Sequence, residues 1–246
     1  MRVAVVGATG RIGRFTVAAL RAGGHQVAEI SRSRGVDVIT GDGLNTALTG
    51  AQAVVDVTSN PAQDEAEIVD FFTTAARNLT SAAKRAGVDH YVLLSIVNVD
   101  GGHGGAHYVG KVGQERVVEG GGLPWSIVRA TQFHDFAELV ASWTLGDGTA
   151  LVAPLLCQPI APKDVGDVLA EVATGDPVGR IDLAGPDTQD LVDMARRTLA
   201  ARGQQVRLVP MWDGPIDVSM AGNVALPRPG ARIAPTTFEA WLAEQS

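Results

Sequence analysis

His107-Tyr108-Val109-Gly110-Lys111 is the stretch of this 246-residue chain whose residue types and spacing best suit chemistry. A lysine ammonium close to a tyrosine favours the phenolate and so eases departure of the phenolic proton. A tyrosine tuned in this way can donate that proton to a carbonyl oxygen as hydride reaches the carbon. Residues three and four apart are neighbours on one helix face. Tyr108 stands three before Lys111 and His107 four before it, so spacing leaves both as candidate donors. The competing reading is an aromatic residue that lines a pocket without moving a proton. Ser95, at the end of the apolar run HYVLLSIV, is a further candidate, either bonding a substrate carbonyl or satisfying local backbone.

A second constellation is RVAVVGATGRIGR, residues 2–14. The β-branched run Val3–Val6 suits a strand covered on both faces, and a helix follows from about Arg14. Between them stand Gly7, Gly10 and Gly13. The first allows a sharp turn out of the strand, the second close approach of a ligand to the backbone, and the third tight packing of helix on strand. The helix N-terminus then offers unpaired N–H groups at the positive end of its dipole, a site for a pyrophosphate. The pattern predicts a dinucleotide. In that setting Lys111 is the candidate holder of the nicotinamide ribose, and Ser95 a candidate contact to the nicotinamide.

The end of the second predicted strand decides which dinucleotide. A bare ribose is met by an acid there, about 20 residues beyond the glycines, and a 2′-phosphate by an arginine. This chain reads Ser31-Arg32-Ser33-Arg34. The planar fork of Arg32 suits a phosphate, which predicts NADP(H) over NAD(H). Glu29 is the acid nearest this position, and strand alternation puts it on the face opposite Arg32.

Alternating elements must carry these residues. Strands are predicted at Gln26–Ser31, Val36–Thr40, Ala53–Thr58, His90–Val97 and Trp125–Ala130, after the first at Val3–Val6. Helices are predicted at Arg14–Ala22, Leu44–Leu48, Asp64–Arg85 and His107–Glu119. This alternation implies an α/β fold, a doubly wound parallel sheet of Rossmann type. Gly7, Ser31-Arg32, Thr58-Ser59, Ser95 and Thr131 all fall at carboxyl ends of strands, where ligands of such sheets bind. Beyond Thr131 the pattern loosens: helix at Phe133–Trp143, Asp164–Ala173, Asp187–Arg202 and Thr237–Glu244, strand at Arg180–Ala184 and Val206–Pro210, and loop over Pro215–Pro235. We read one domain, 1–246, with a cofactor-binding core over 1–131 and a small substrate-side C-terminal elaboration over 132–246. Phe133, His134 and Phe136 follow the last core strand and are candidate substrate contacts.

Composition narrows the partners. Hydrophobic residues are 46% and charged residues 19% of the chain, as in a globular protein with a full core. A net charge of −7 argues against direct nucleic-acid binding, which needs a basic patch. No apolar run reaches a membrane span, and Met1 leads directly into a strand, so a cytoplasmic protein without membrane attachment is expected. Cys157 is the lone cysteine, consistent with a reducing compartment and a buried packing role. His103 and His107 are separated by glycines, with no acid close by in sequence, and no metal site is expected.

GATGRIGR at 7–14, LLSIVNVD at 93–100, the block from Tyr108 to Phe136, IAPKDVGDVLAEV at 160–172, DLAGPD at 182–187 and TFEAWLAE at 237–244 resemble the NmrA-like branch of the atypical short-chain dehydrogenases/reductases. The resemblance spans nearly the whole chain. It implies a Rossmann domain for NADP(H) or NAD(H), in a family of NADPH-dependent quinone and carbonyl reductases and of cofactor-sensing regulators. Carried over, Gly7, Thr9, Gly10, Arg11, Ile12 and Gly13 hold the pyrophosphate and Arg32 the adenosine phosphate. Thr58 and Ser59 lie along the cofactor, and Lys111 at its nicotinamide ribose. Relatives often carry Tyr-Tyr-x-x-Lys where this chain has His107-Tyr108-x-x-Lys111, so the tyrosine four before the lysine is missing. Two functions follow: an NADPH-dependent reductase of a small quinone or carbonyl compound, with Lys111, Tyr108 and Ser95 as catalytic residues and His107, Tyr108, Phe133 and His134 around the substrate, or a cofactor-sensing protein that acts through a partner.

Overall fold

Val3, Ala4, Val5 and Val6 are all buried, as a strand covered on both faces requires. In the computed structural model, which describes residues 1–62 and 64–245, they lie in β1 (Arg2–Val6), followed by α1 (Arg11–Ala22), β2 (Gln26–Ile30), α2 (Leu44–Ala47), β3 (Ala53–Asp56) and α3 (Glu65–Ala86). Next come β4 (His90–Ile96), α4 (Gly105–Gly120), β5 (Trp125–Ala130), α5 (Phe136–Thr144), β6 (Thr149–Val152) and β7 (Leu156–Cys157). The remainder is α6 (Pro162–Thr174), β8 (Gly179–Ala184), β9 (Gln189–Asp190), α7 (Leu191–Ala201), β10 (Arg207–Pro210), β11 (Arg232–Ile233) and α8 (Phe238–Ala243).

Seven strands form one sheet in the order β11-β8-β5-β4-β3-β1-β2. β1 pairs in parallel with both β2 and β3, and β3 with β4. Strand order reverses between β1 and β3, the place where a doubly wound sheet opens a crevice at its carboxyl edge. The expected Rossmann architecture is the observed one.

The chain falls into two compact units: Met1–Arg129 with Val165–Ile181, and Ala130–Asp164 with 182–246. The first holds the core around Val6, Ile30, Leu79, Tyr91, Leu93 and Ile127. Its α6 returns to pack on α1, where a side chain at Gly166 would come within 2.5 Å of Phe15 Cβ. The second unit contains the parallel pair β6–β10 and the antiparallel pair β7–β9. There the Asp164 carboxylate accepts from the amide and hydroxyl of Thr236 at 3.0 and 2.9 Å. Among the described residues no helix is long and apolar enough to cross a membrane.

Local polar groups account for the departures from expectation. Val36–Thr40 forms no strand. The Asp37 carboxylate accepts from the amides of Ile39 and Thr40 at 2.7 and 3.3 Å, and the Gly41 amide donates to the Asp37 carbonyl at 2.9 Å, closing the segment into a turn. The helix expected from Asp187 starts at Leu191, because the Asp190 side chain caps the amides of Val192 and Asp193. Within Pro215–Pro235 the chain adds the short edge strand β11, paired in parallel with β8.

Candidate active site

Gly7 has φ +83°, a left-handed conformation that favours glycine. Any Cβ there would also stand 2.9 Å from the Val57 carbonyl oxygen. Gly13, on the first turn of α1, lies so close to Gly7 that a side chain would collide with its carbonyl oxygen. The amides of Gly7 and Ala8 donate to the Ile30 carbonyl at 3.0 and 3.2 Å, which ties the turn to the end of β2. Gly10 is the N-cap of α1, with no side-chain cap and no acid in the first turn. Thr9, Gly10 and Arg11 are exposed, whereas Ile12 and Gly13 are buried. The Ile12 side chain therefore serves the core, and only its backbone is offered at the turn.

Beyond β2 the chain makes a single 3-10 turn, Arg32–Arg34. The Glu29 carboxylate is taken by two guanidiniums, Arg21 at 2.5 Å and Arg34 at 2.7 Å. Arg32 is exposed, and its guanidinium has no hydrogen-bond or ion-pair partner among the described residues. Ser31 and Ser33 share a hydrogen bond of 3.0 Å beside it.

The centre of the first unit is a buried polar network that the sequence analysis did not single out. Asp56 closes β3 and is fully buried. Its Oδ1 accepts from the Thr58 amide at 2.9 Å and the Thr58 hydroxyl at 2.7 Å. Its Oδ2 accepts from the Tyr91 hydroxyl at 2.8 Å and from Gln114 Nε2 at 2.9 Å. Burial, then the Asp56 charge, pushes the Tyr91 phenol well above its ordinary pKa, so Tyr91 stays a donor. Only one local signal marked these residues: Gln114 lies three after Lys111 on the same helix.

Lys111 is 5% exposed. Its Nζ donates to Gln114 Oε1 at 2.7 Å and lies 4.9 Å from the centre of the Phe72 ring. Gly110 brings α4 this close to α3, since a Cβ there would stand 2.7 and 2.8 Å from Phe72 and Ile68. Burial lowers the ammonium to about 8, against the opposing pull of Asp56 and Glu115. Glu115 is itself held by Arg129 at 2.7 Å. An ammonium has three donors, and Gln114 is the one hydrogen-bond partner of the Lys111 ammonium among the described residues.

The His107 ring packs edge-on to Phe72 with centroids 5.1 Å apart. Burial, helped by the Lys111 charge, lowers its pKa to about 4, so it is a neutral imidazole at pH 7. Tyr108 is half-buried, with its ring against Gly104 in the space a Cβ would fill. Ser95 is 3% exposed, and its hydroxyl has no hydrogen-bond partner among the described residues. A buried hydroxyl without a partner is costly and suits a site completed by a ligand.

The glycine turn, Arg32, Thr58, Ser59, Ser95, His107, Tyr108 and Lys111 all belong to the first unit. Phe133 and His134 belong to the second. His134 is buried there, with Nε2 3.2 Å from the Thr236 carbonyl oxygen and its ring against Phe238 and Trp241. Phe133 is partly exposed and bridges to Ile160. An uncapped helix start behind a glycine turn, an unpartnered arginine after β2, an unpartnered buried serine and a buried lysine together fit a nicotinamide dinucleotide.

A sequence model described as NAD(P)H-binding matches residues 7–176. The chain belongs to that NAD(P)H-binding family, and its cofactor class is a nicotinamide dinucleotide. No curated protein matches it in sequence. Similar solved structures include the NADPH-dependent quinone oxidoreductase of Escherichia coli complexed with NADPH, at TM-score 0.64 and 19% identity over 85% of this chain and 78% of that one. The triphenylmethane reductase of Citrobacter sp. complexed with NADP(H) gives TM-score 0.65 and 18% identity over 86% and 79%. A short-chain dehydrogenase/reductase superfamily protein of Agrobacterium tumefaciens with bound NAD gives TM-score 0.70 and 18% identity over 100% and 96%. At these identities the likeness is one of fold.

Proposed function

We propose that the chain is an NADPH-dependent oxidoreductase that reduces a small quinone or carbonyl compound. The observation that carries this reading is the buried Lys111 ammonium, with one donor engaged by Gln114 and the others left for a ligand. The nicotinamide supplies hydride when the cofactor is bound. In this reading Gly7, Thr9, Gly10, Arg11, Ile12 and Gly13 hold the pyrophosphate, and Arg32 the 2′-phosphate. Thr58 and Ser59 lie along the cofactor, and Lys111 grips the nicotinamide ribose. The Ser95 hydroxyl serves a carbonyl oxygen or the carboxamide. Tyr108 is the proton donor where one is needed, because a histidine that is neutral at pH 7 holds no acidic proton to give. A quinone asks least of such a donor, since its reduced oxygen is weakly basic and water can protonate it. The quinone oxidoreductase of E. coli supports that substrate class by likeness of fold. A lone buried cysteine, Cys157, agrees with the cytoplasm as its place of work.

NADPH consumption in the presence of a panel of quinones and aldehydes tests this reading. Turnover with at least one of them is the expected result. Tight NADPH binding without consumption would overturn it in favour of a cofactor-sensing protein that acts through a partner. The neutral, packed His107, standing where relatives often carry a tyrosine, is the observation that favours that second reading.

A further inference from the structure

Gln114 joins a buried carboxylate to a buried ammonium. Its Nε2 donates to Asp56 Oδ2 at 2.9 Å, and its Oε1 accepts from Lys111 Nζ at 2.7 Å. A side-chain amide donates at one end and accepts at the other. An ammonium only donates, and the Asp56 oxygens are already surrounded by donors from Tyr91 and Thr58. One orientation of the amide therefore satisfies both neighbours, and the reverse satisfies neither. Asp56 cannot turn away, because the Thr58 amide and hydroxyl hold Oδ1 while Tyr91 holds Oδ2. The direction of the Gln114 amide is set on β3 and delivered to the lysine on α4.

We propose that Gln114, oriented by Asp56, is a positioning residue that fixes the Lys111 ammonium for the nicotinamide ribose. The proposal rests on the reading that Lys111 serves the cofactor. It makes a directional claim: reversing the donor and acceptor at positions 56 and 114 together should restore what either change alone removes. In Asp56→Asn, the Thr58 donors keep the remaining oxygen on their side and the new NH2 group replaces Oδ2. Gln114 must then turn its oxygen toward position 56 and its NH2 toward Lys111, donor against donor. In Gln114→Glu, a carboxylate oxygen meets Asp56 Oδ2, acceptor against acceptor. In the double variant the amide at position 56 donates to the carboxylate at position 114, whose other oxygen accepts from Lys111. The trio keeps its net charge, and Tyr91 turns its hydroxyl to accept. Two native bonds are not restored: the donation from the Tyr91 hydroxyl to position 56, which reverses, and the long contact of 3.3 Å from Gln114 Nε2 to Thr58 Oγ1.

The experiment is NADPH titration by calorimetry on the full chain, with melting temperature measured for every variant. Each single substitution should weaken NADPH binding about tenfold to a hundredfold, the scale of one charge-assisted hydrogen bond. The double variant should return to within about threefold of the unmodified protein. A double variant as weak as the singles, or a single that binds normally, overturns the proposal. Should the singles fail to fold, Gln114→Met keeps the shape of the side chain and leaves Asp56 its Tyr91 and Thr58 donors. That variant, folded, should bind NADPH at least about tenfold more weakly, and normal binding would overturn the proposal. On a Lys111→Ala background Gln114→Met should cost nothing more, and an equal further loss would show a role independent of the lysine. Absence of turnover in the unmodified protein would sink the reductase reading alone, since these affinities are read without catalysis.

Discussion

Arg34 holds the Glu29 carboxylate at 2.7 Å, from the same turn in which the Arg32 guanidinium is left without a partner among the described residues. The acid that could have paired with a bare ribose is neutralised from two sides, by Arg34 and by Arg21. The guanidinium at the expected position of a 2′-phosphate is meanwhile free to receive it.

NADPH should accordingly bind more tightly than NADH. One well-placed bidentate contact is worth about 1.5–3 kcal/mol, roughly a tenfold to hundredfold preference. Arg32→Ala should bring the two affinities together, chiefly by weakening NADPH. Added salt should narrow the gap, because Arg32 is exposed. Calorimetric titration with both nucleotides checks this, and equal or better binding of NADH by the unmodified protein would return attention to Glu29.

Lys111→Ala should cost roughly 1.5–3 kcal/mol of NADPH binding while leaving the fold intact. The unmodified protein should also lose affinity as pH rises through about 8, where the buried ammonium gives up its proton. In Lys111→Ala that pH dependence should disappear. Titrations between pH 7 and 9 read both effects.

Tyr108→Phe should slow turnover of a carbonyl substrate by about 10²-fold, the usual scale of general-acid catalysis. His107→Ala should show no comparable loss near neutrality, since His107 is already neutral there. A collapse of turnover in the histidine variant alone would transfer the donor role to His107. No loss in either would point to protonation by solvent.

Acid should destabilise the protein earlier than its carboxylates alone would. Burial lowers the pKa of His90, His107 and His134 below the 6.5 of the unfolded chain. Below 6.5 the unfolded state then binds more protons than the native one, so stability is lost as pH falls, and the share owed to His107 goes on being lost down to about pH 4. Denaturant midpoints from pH 7 to pH 4 should show a shallower decline in His107→Leu. An identical slope would mean that the imidazole is not held neutral by the fold.

Gly13→Ala should cost about 1–3 kcal/mol of stability and impair cofactor binding, because its methyl group would meet the Gly7 carbonyl oxygen. The measurements are melting temperature and NADPH affinity. A stable variant with normal affinity would show that the turn tolerates a wider approach.

The glycine turn was legible in sequence because its cause is local: three glycines between an apolar run and a helix set the geometry almost alone. The strands β4 and β5 were legible for the same reason, as apolar runs bounded by turn residues. Val36–Thr40 misled because its composition is that of a strand, while the Asp37 side chain satisfies two amides that a strand would leave for a neighbour. The Asp56 network was illegible for a different reason. Its partners Tyr91 and Gln114 lie 35 and 58 residues away, and nothing near Asp56 in the chain announces them. His134 was expected to face a substrate from its place after β5. Its neighbours Thr236, Phe238 and Trp241 come from the far end of the chain, so its burial could not be read locally.

The return of Val165–Ile181 to the first unit bears on how the molecule is made. Residues 1–129 carry the entire glycine turn, Arg32 and the Lys111 cluster, yet α1 packs at Phe15 against Gly166 of α6, which comes later in the chain. A nascent chain must therefore release more than forty further residues from the ribosome, about several seconds of elongation, before that helix can dock. During that interval α1 lacks its contact with Gly166 at Phe15. A ligand that binds the dinucleotide half early would favour the native arrangement by mass action.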